Sequence, residues 1–194
     1  MLRYFFILFV SSLAAVSCVS LLFYSTARHS RQKIIEYNEI ISISRQEEVI
    51  RNDIQAIVAD LLLLVKHYQL HTSSPRSASN TVEMVTDEFF IFARQKKIYD
   101  QVRFINNRGM EQIRINYTNG NTAVVPAEQL QFKGKRYYFK DTFKLQEGEV
   151  FISPFDLNIE QGVIEQPKKP MIRFGTPVFN RRGEKEGIIN LLTI

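Results

Sequence analysis

The sequence predicts an α+β protein carried on a membrane anchor, and three features predict it. An uncharged apolar run opens the chain. A long stretch without Gly or Pro follows with helical apolar spacing, and from Tyr99 the apolar period shortens to two. Helices that precede a run of strands, rather than alternate with them, build a mostly antiparallel sheet with the helices segregated to one face. The expected order is a transmembrane helix over residues 1–27, a long stalk helix plus a second helix over 28–98, and a sheet module over 99–194.

No charged residue lies between Tyr4 and Ala27, a run long enough to cross a bilayer as a helix. Tyr4 and Tyr24 stand near its ends, where amphipathic rings favour the interface. A cleaved signal peptide would have a shorter apolar core, and Ala15-Val16-Ser17-Cys18 loosely matches a lipidation signal at Cys18. The run continues past Cys18 as Val19-Ser20-Leu21-Leu22-Phe23-Tyr24, which favours an uncleaved anchor. Arg3 precedes the span and Arg28, Arg31 and Lys33 follow it, a bias that by itself would hold the body of the chain in the cytoplasm.

Composition excludes several classes of function. The 194 residues suffice for one span and one domain with a real core. A net charge of +5 spread over scattered residues such as Arg103, Arg114, Lys133, Arg136, Lys168 and Arg173 is not the dense basic stripe of a nucleic-acid binder. Cys18 is the single cysteine, so neither an intrachain disulfide nor a thiolate metal cluster can form. There is no Gly-rich phosphate loop and no Gly-x-Ser-x-Gly elbow, and Glu47-Glu48 and Asp87-Glu88 read as solvated helix faces. His67 and His71 lie four apart, a spacing that suits zinc, but no acidic or cysteine ligand stands near them in the sequence. No enzyme, metal or cofactor is expected.

Along the stalk, Ile50, Ile54, Ile57, Leu61, Leu64 and Tyr68 recur at alternating steps of four and three, and Ile43 and Ile40 extend the stripe backwards. The lower half reads as a dimer seam and the Leu61–Val65 end as core of the chain's own domain. Residues 72–79 form a polar loop. Asn80 with Glu83 marks a helix start, and Val82, Val85, Phe89 and Phe92 form the apolar face of a helix ending near Lys97. Val102 and Phe104, then Ile113, Ile115 and Tyr117, alternate with polar residues around the Asn106-Asn107-Arg108-Gly109 turn, a hairpin whose glycine takes positive φ. A short helical stretch is expected between Pro126 and Phe143, and strands at 149–152, 171–179 and 187–194.

Several of these segments, in this order, resemble the double Cache (PAS-like) extracytoplasmic sensor domains of bacterial transmembrane receptors. The resemblance rests on Tyr99-Asp100-Gln101-Val102-Arg103-Phe104-Ile105 with Arg108-Gly109-Met110-Glu111, on Arg136-Tyr137-Tyr138-Phe139, on Ser153-Pro154-Phe155-Asp156-Leu157-Asn158, and on the run from Lys169 to Phe179. It covers residues 28–194. It implies a ligand-sensing module facing the periplasm from the inner membrane, signalling through the stalk helix to a histidine kinase, diguanylate cyclase or methyl-accepting output. The chain stops where the last strand of the membrane-distal module is expected, so a fragment or a truncated reading frame is anticipated.

The resemblance also implies a site. In the amino-acid-binding branch, an Arg-x-Trp-Tyr stretch holds the ligand carboxylate and encloses the ligand. Arg136 matches that arginine here, and Tyr138 and Phe139 stand for the aromatics. Phe155 replaces a tyrosine, and the branch's terminal aspartate is lost within Ile189-Asn190-Leu191-Leu192, which argues against an α-amino acid. The expected ligand-binding residues are Arg136, Tyr138, Phe139, Asp156 and Arg173, and the expected ligand is a small molecule, a carboxylate for choice. The alternative function is a membrane-anchored envelope scaffold with a PAS-like domain and no small-molecule ligand.

Overall fold

The computed structural model describes residues 2–72, 81–160 and 162–193. The chain divides into two compact units, Met1–Asp53 and Ile54–Ile194. Helix α1 runs over Leu2–Thr72, and its first part, Leu2–Tyr24, is long and apolar enough to span a membrane. Its side chains there are fully or largely exposed, as a lipid-facing surface requires.

Among the described residues the second unit contains α2 (Thr81–Lys96) and nine strands. They are β1 (Gln101–Asn106), β2 (Glu111–Thr118), β3 (Asn121–Val124), β4 (Phe151–Ile152), β5 (Asp156–Leu157), β6 (Ile159–Glu160), β7 (Val163–Ile164), β8 (Pro170–Phe179) and β9 (Lys185–Thr193). A short helix, α3 (Tyr137–Lys144), lies between β3 and β4. The sheet runs in the order β3-β2-β1-β9-β8-β4, with β5 also on β8, and every pairing is antiparallel. β6 and β7 form a separate hairpin. β3, β5 and this hairpin are too short for an alternating pattern to register as strands in the sequence.

The anticipated hairpin turn is present between β1 and β2. Asn106 Oδ1 accepts from the backbone N–H groups of Arg108 and Met110, and Gly109 adopts φ +81°. A Cβ at Gly109 would stand 2.4 Å from Gly134 Cα, so both the dihedral and the space demand glycine.

The two long helices lie on one face of the sheet. Leu61, Leu64 and Val65 of α1 and Val85, Phe89 and Ala93 of α2 close over Val102, Phe104, Ile113, Ile115, Phe174, Val178, Ile189 and Leu191. The seam expected along the stalk thus changes role partway. Leu61 and Leu64 are core and Ile57 and Tyr68 pack against it, whereas Ile40, Ile43, Ile50 and Ile54 are exposed. In α2 the apolar face comprises Val85, Phe89 and Ala93 with Phe92 beside them, while Val82 is exposed. The helix start at Asn80 lies outside the described residues.

Polar contacts pin α1 to its surroundings. Asp60 accepts from the Tyr99 hydroxyl (2.7 Å) and pairs with Lys96 (2.7 Å). Glu88 of α2 meets both His67 and His71, the latter at 3.0 Å, so the pair of histidines has an acidic neighbour after all, supplied by the facing helix. Among the described residues, no group of three or more His, Cys, Asp or Glu is arranged to hold a metal ion.

Burial, reinforced by a carboxylate acceptor, raises the phenols of Tyr68 beside Glu186, Tyr99 beside Asp60 and Tyr137 beside Asp156 above the ordinary tyrosine value. The folded state therefore holds these protons more tightly than the unfolded chain, whose tyrosines ionise near 10. Their contribution to stability is complete below about pH 10 and lost as pH climbs beyond it. Chemical unfolding followed between about pH 8 and 11 should show a flat profile that then falls, and Tyr99→Phe should reduce the slope by about one proton. An unchanged slope would mean that Tyr99 ionises freely within the fold.

Candidate functional site

The opposite face of the sheet is more polar, and α3 covers it. A second, smaller core of Ile105, Ile188, Tyr138 and Phe139 seats the helix. Gly175 makes the close approach possible, because a Cβ there would stand 2.5 Å from Thr142 Oγ1. Tyr138, Phe139 and Thr142 are the buried residues of α3, the inward face of a helix two turns long.

Arginines and carboxylates from four strands gather beside this core. Arg103 of β1 stands opposite Arg114 of β2 on one side and Asn190 of β9 on the other. Arg173 of β8 and Asp156 of β5 lie further across the sheet. A register slip places Glu111 among them: Phe104 pairs with Ile113, but Ile105 pairs with Glu111. The bulge turns the Glu111 carboxylate to the α3 face, out of step with the apolar alternation of β2.

Glu111 lies 3.4 Å from both Arg103 and Arg114, and it accepts the backbone N–H of Gln131 (3.0 Å). Arg103 Nη1 also reaches the Tyr138 hydroxyl at 3.4 Å. Asp156 pairs with Arg173 and accepts the Tyr137 hydroxyl (2.6 Å), and Arg173 reaches Asn158 Oδ1 at 3.3 Å. Side-chain exposure is 1% for Arg103 and Arg173 and 31% for Asp156.

Tyr138 is the hub of the arrangement. The Arg173 guanidinium lies 5.1 Å from its ring centroid and the Arg136 guanidinium 5.8 Å. Cations over a ring face are attracted by its quadrupole. Burial raises the Tyr138 phenol, and the charges of Arg103, Arg173 and Arg136 oppose that rise. Arg136 itself sits at the N-cap of α3 in extended conformation, half-buried, with its guanidinium over the Tyr138 ring rather than on a carboxylate among the described residues.

Of the five expected site residues, Arg136, Tyr138, Asp156 and Arg173 are thus linked in one cluster. Phe139 stands aside, its ring stacked on Phe143 at 5.5 Å within the smaller core. Arg103, Glu111, Arg114, Tyr137 and Asn190 were not anticipated. The available signal was Ile105, an apolar residue on the same face as Arg103, which shows that this face too is covered. Arg173 Nε and Asn190 Oδ1 on this face are buried without a hydrogen-bond partner among the described residues.

A long helix beside an antiparallel sheet, with a short helix over a polar, arginine-lined opposite face, is the Cache-type, PAS-like sensor architecture. The chain belongs to the bacterial histidine kinase sensor domain family, whose family model matches residues 43–192. No curated protein matches it. Among solved structures it is similar to the domain of a protein assigned to the sensory box/GGDEF family from Vibrio parahaemolyticus, with a TM-score of 0.63 and 23% identity over 77% of this chain and 55% of that one. It is also similar to the extracellular domain of a protein assigned as a histidine kinase, with a TM-score of 0.63 and 23% identity over 77% and 52% of the two chains. The ligand-binding domain of the Campylobacter jejuni chemoreceptor Tlp3, solved in complex with 4-methylisoleucine, has a TM-score of 0.55 and 10% identity over 74% of this chain and 52% of that one. The chain spans about half the length of these structures, and at such identities the likeness is one of fold.

Proposed function

We propose that the chain is the extracytoplasmic, ligand-sensing part of a membrane receptor, and that the α3 face of its sheet binds a small carboxylate or similar anion. The observation that carries this reading is a cluster of guanidinium groups: among the described residues Arg103 and Arg114 meet the Glu111 carboxylate, Arg173 meets that of Asp156, and Arg136 lies over the Tyr138 ring. The buried Arg173 Nε, a donor without a partner among the described residues, supports it, because a buried polar atom left without a hydrogen bond costs about 1–3 kcal/mol. A bound carboxylate would satisfy it. Arg136 provides the planar fork for the carboxylate, Tyr138 the floor, Phe139 the apolar backing, and Asp156 with Arg173 the polar contacts.

On this reading residues 1–27 are the anchor, 28–98 the stalk and second helix, and 99–194 the sensing module. Occupancy must favour one stalk arrangement over another if it is to signal. The body faces the periplasm despite Arg28, Arg31 and Lys33. Alkaline phosphatase, active only after export, should therefore be active when fused after Thr72. Activity of a cytoplasmic reporter at that joint instead would sink the receptor reading.

The exposed isoleucines of α1 serve a homodimer. Ile43 and Ile50, 64% and 60% exposed, are one heptad apart. In a Cys18→Ser background, Ile54→Cys should cross-link between chains in the membrane, and Ile43→Asp with Ile50→Asp should abolish that cross-link. Persistence of the cross-link in the charged variant would exclude this seam.

A further inference from the structure

A second cleft lies away from the arginine cluster and shares none of its residues. The last turns of α1, the loop after α3 and the β8–β9 turn enclose about 620 Å³, within the range of small-molecule sites. Gln69 ties the walls together, its amide donating to the Phe179 carbonyl (3.1 Å) and to Glu147 Oε1 (3.4 Å). The turn is held by Asn180, whose side-chain oxygen accepts from the backbone N–H of Arg182 (2.8 Å) and of Glu184 (3.0 Å). That leaves Arg181 and Arg182 exposed at the mouth, with Lys66 nearby.

The charge in this cleft is polarised. Glu186 lines it from β9, engaged by the Tyr68 hydroxyl, yet its Oε2 is buried and has no hydrogen-bond partner among the described residues. A buried carboxylate oxygen without a donor is costly, and a cationic donor is its best partner. Glu147, exposed beside it, adds a second negative charge. The Glu186 carboxylate thus lies inside the cleft, and the Arg181 and Arg182 guanidinium groups are exposed.

We propose that this cleft is a second binding site, for a small zwitterion such as an amino acid or short peptide, with its ammonium on Glu186 and its carboxylate on Arg181 and Arg182. A molecule carrying one charge meets only half of this arrangement. The site does not depend on the anion site, and occupancy of one leaves the residues of the other untouched.

The test is calorimetric titration of the full chain in nanodiscs with glycylglycine as the probe, and with N-acetylglycine and glycinamide as single-charge controls. In the Arg136→Ala background, where the anion site is disabled, glycylglycine should bind saturably and each control at least about tenfold more weakly. Glu186→Gln, which still accepts from Tyr68, should weaken glycylglycine about tenfold or more, as should Arg181→Ala combined with Arg182→Ala, two exposed positions whose loss spares the fold. Arg136→Ala should bind it as wild type does. Absence of saturable glycylglycine binding, equal binding by Glu186→Gln, or loss of binding in Arg136→Ala would each overturn the proposal, the last by moving the ligand to the arginine cluster.

Discussion

Replacing Arg136 with alanine is expected to lower affinity for a small carboxylate roughly tenfold to a hundredfold while leaving thermal stability intact. A charge-assisted contact of this kind is worth about 1.5–3 kcal/mol, which converts to that range. The fold should tolerate the change because Arg136 is half-buried, caps α3 with extended backbone and makes no side-chain capping bond. Arg136→Lys should recover little, since a point charge does not reproduce a planar fork. Tyr138→Phe separates two roles of one ring. A small loss would assign it to packing and to the cation–π floor, and a large one to its hydroxyl. A thermal-shift screen of acetate, lactate, succinate and related acids against the full chain in detergent comes first. A carboxylate that stabilises wild type and Arg136→Ala equally would remove Arg136 from the site.

Glu111 should behave in the opposite way, with a large effect on the fold. Its side chain is fully buried and lies between two guanidinium groups that are themselves 1% and 9% exposed. Such a cluster adds little net stability over an apolar core, but breaking one is costly because charge is left behind in low dielectric. Glu111→Ala should therefore cost about 3–5 kcal/mol, a fall in Tm on the order of 10 °C for a domain of this size. It would also lose the bond from the Gln131 N–H. Glu111→Gln keeps an acceptor for that N–H while removing the charge, so its cost isolates the electrostatic part. A Tm within about 2 °C of wild type for Glu111→Ala would mean that the guanidinium groups reach solvent or other acceptors easily.

The two variants also mark how far a sequence of this kind can be read. Helices and strands were legible because burial imposes a period: Leu61 and Leu64 in the stalk, Val85 and Phe89 in α2, and Val102 and Phe104 in β1 are core at the expected spacing. Arg136, Tyr138, Asp156 and Arg173 were legible by resemblance, and the fold joins them. Glu111 was not, because its inward aim comes from a bulge, and a one-residue slip leaves no trace in an alternating pattern. Arg103 was missed for a related reason. Two-sided burial of a sheet leaves little trace when one face is lined by polar groups, and here Ile105 was its sign. Nor does local pattern reveal that Asp156 pairs with Arg173, since that contact depends on which strands are neighbours.

The position of β9 has a consequence for how the domain assembles. The strand lies between β1 and β8, and Gln101 pairs with Leu192 across nearly the whole length of the module. The sheet is therefore two separate ribbons, β1–β3 and β8 with its short partners, until a single late segment joins them. Closing so long a loop delays the reward of the contacts it makes, which slows folding. During that interval the inner edges of both ribbons present bare backbone donors and acceptors, the kind of edge that invites pairing with other chains. A nascent chain short of Lys185–Thr193 therefore carries two open seams, one on β1 and one on β8.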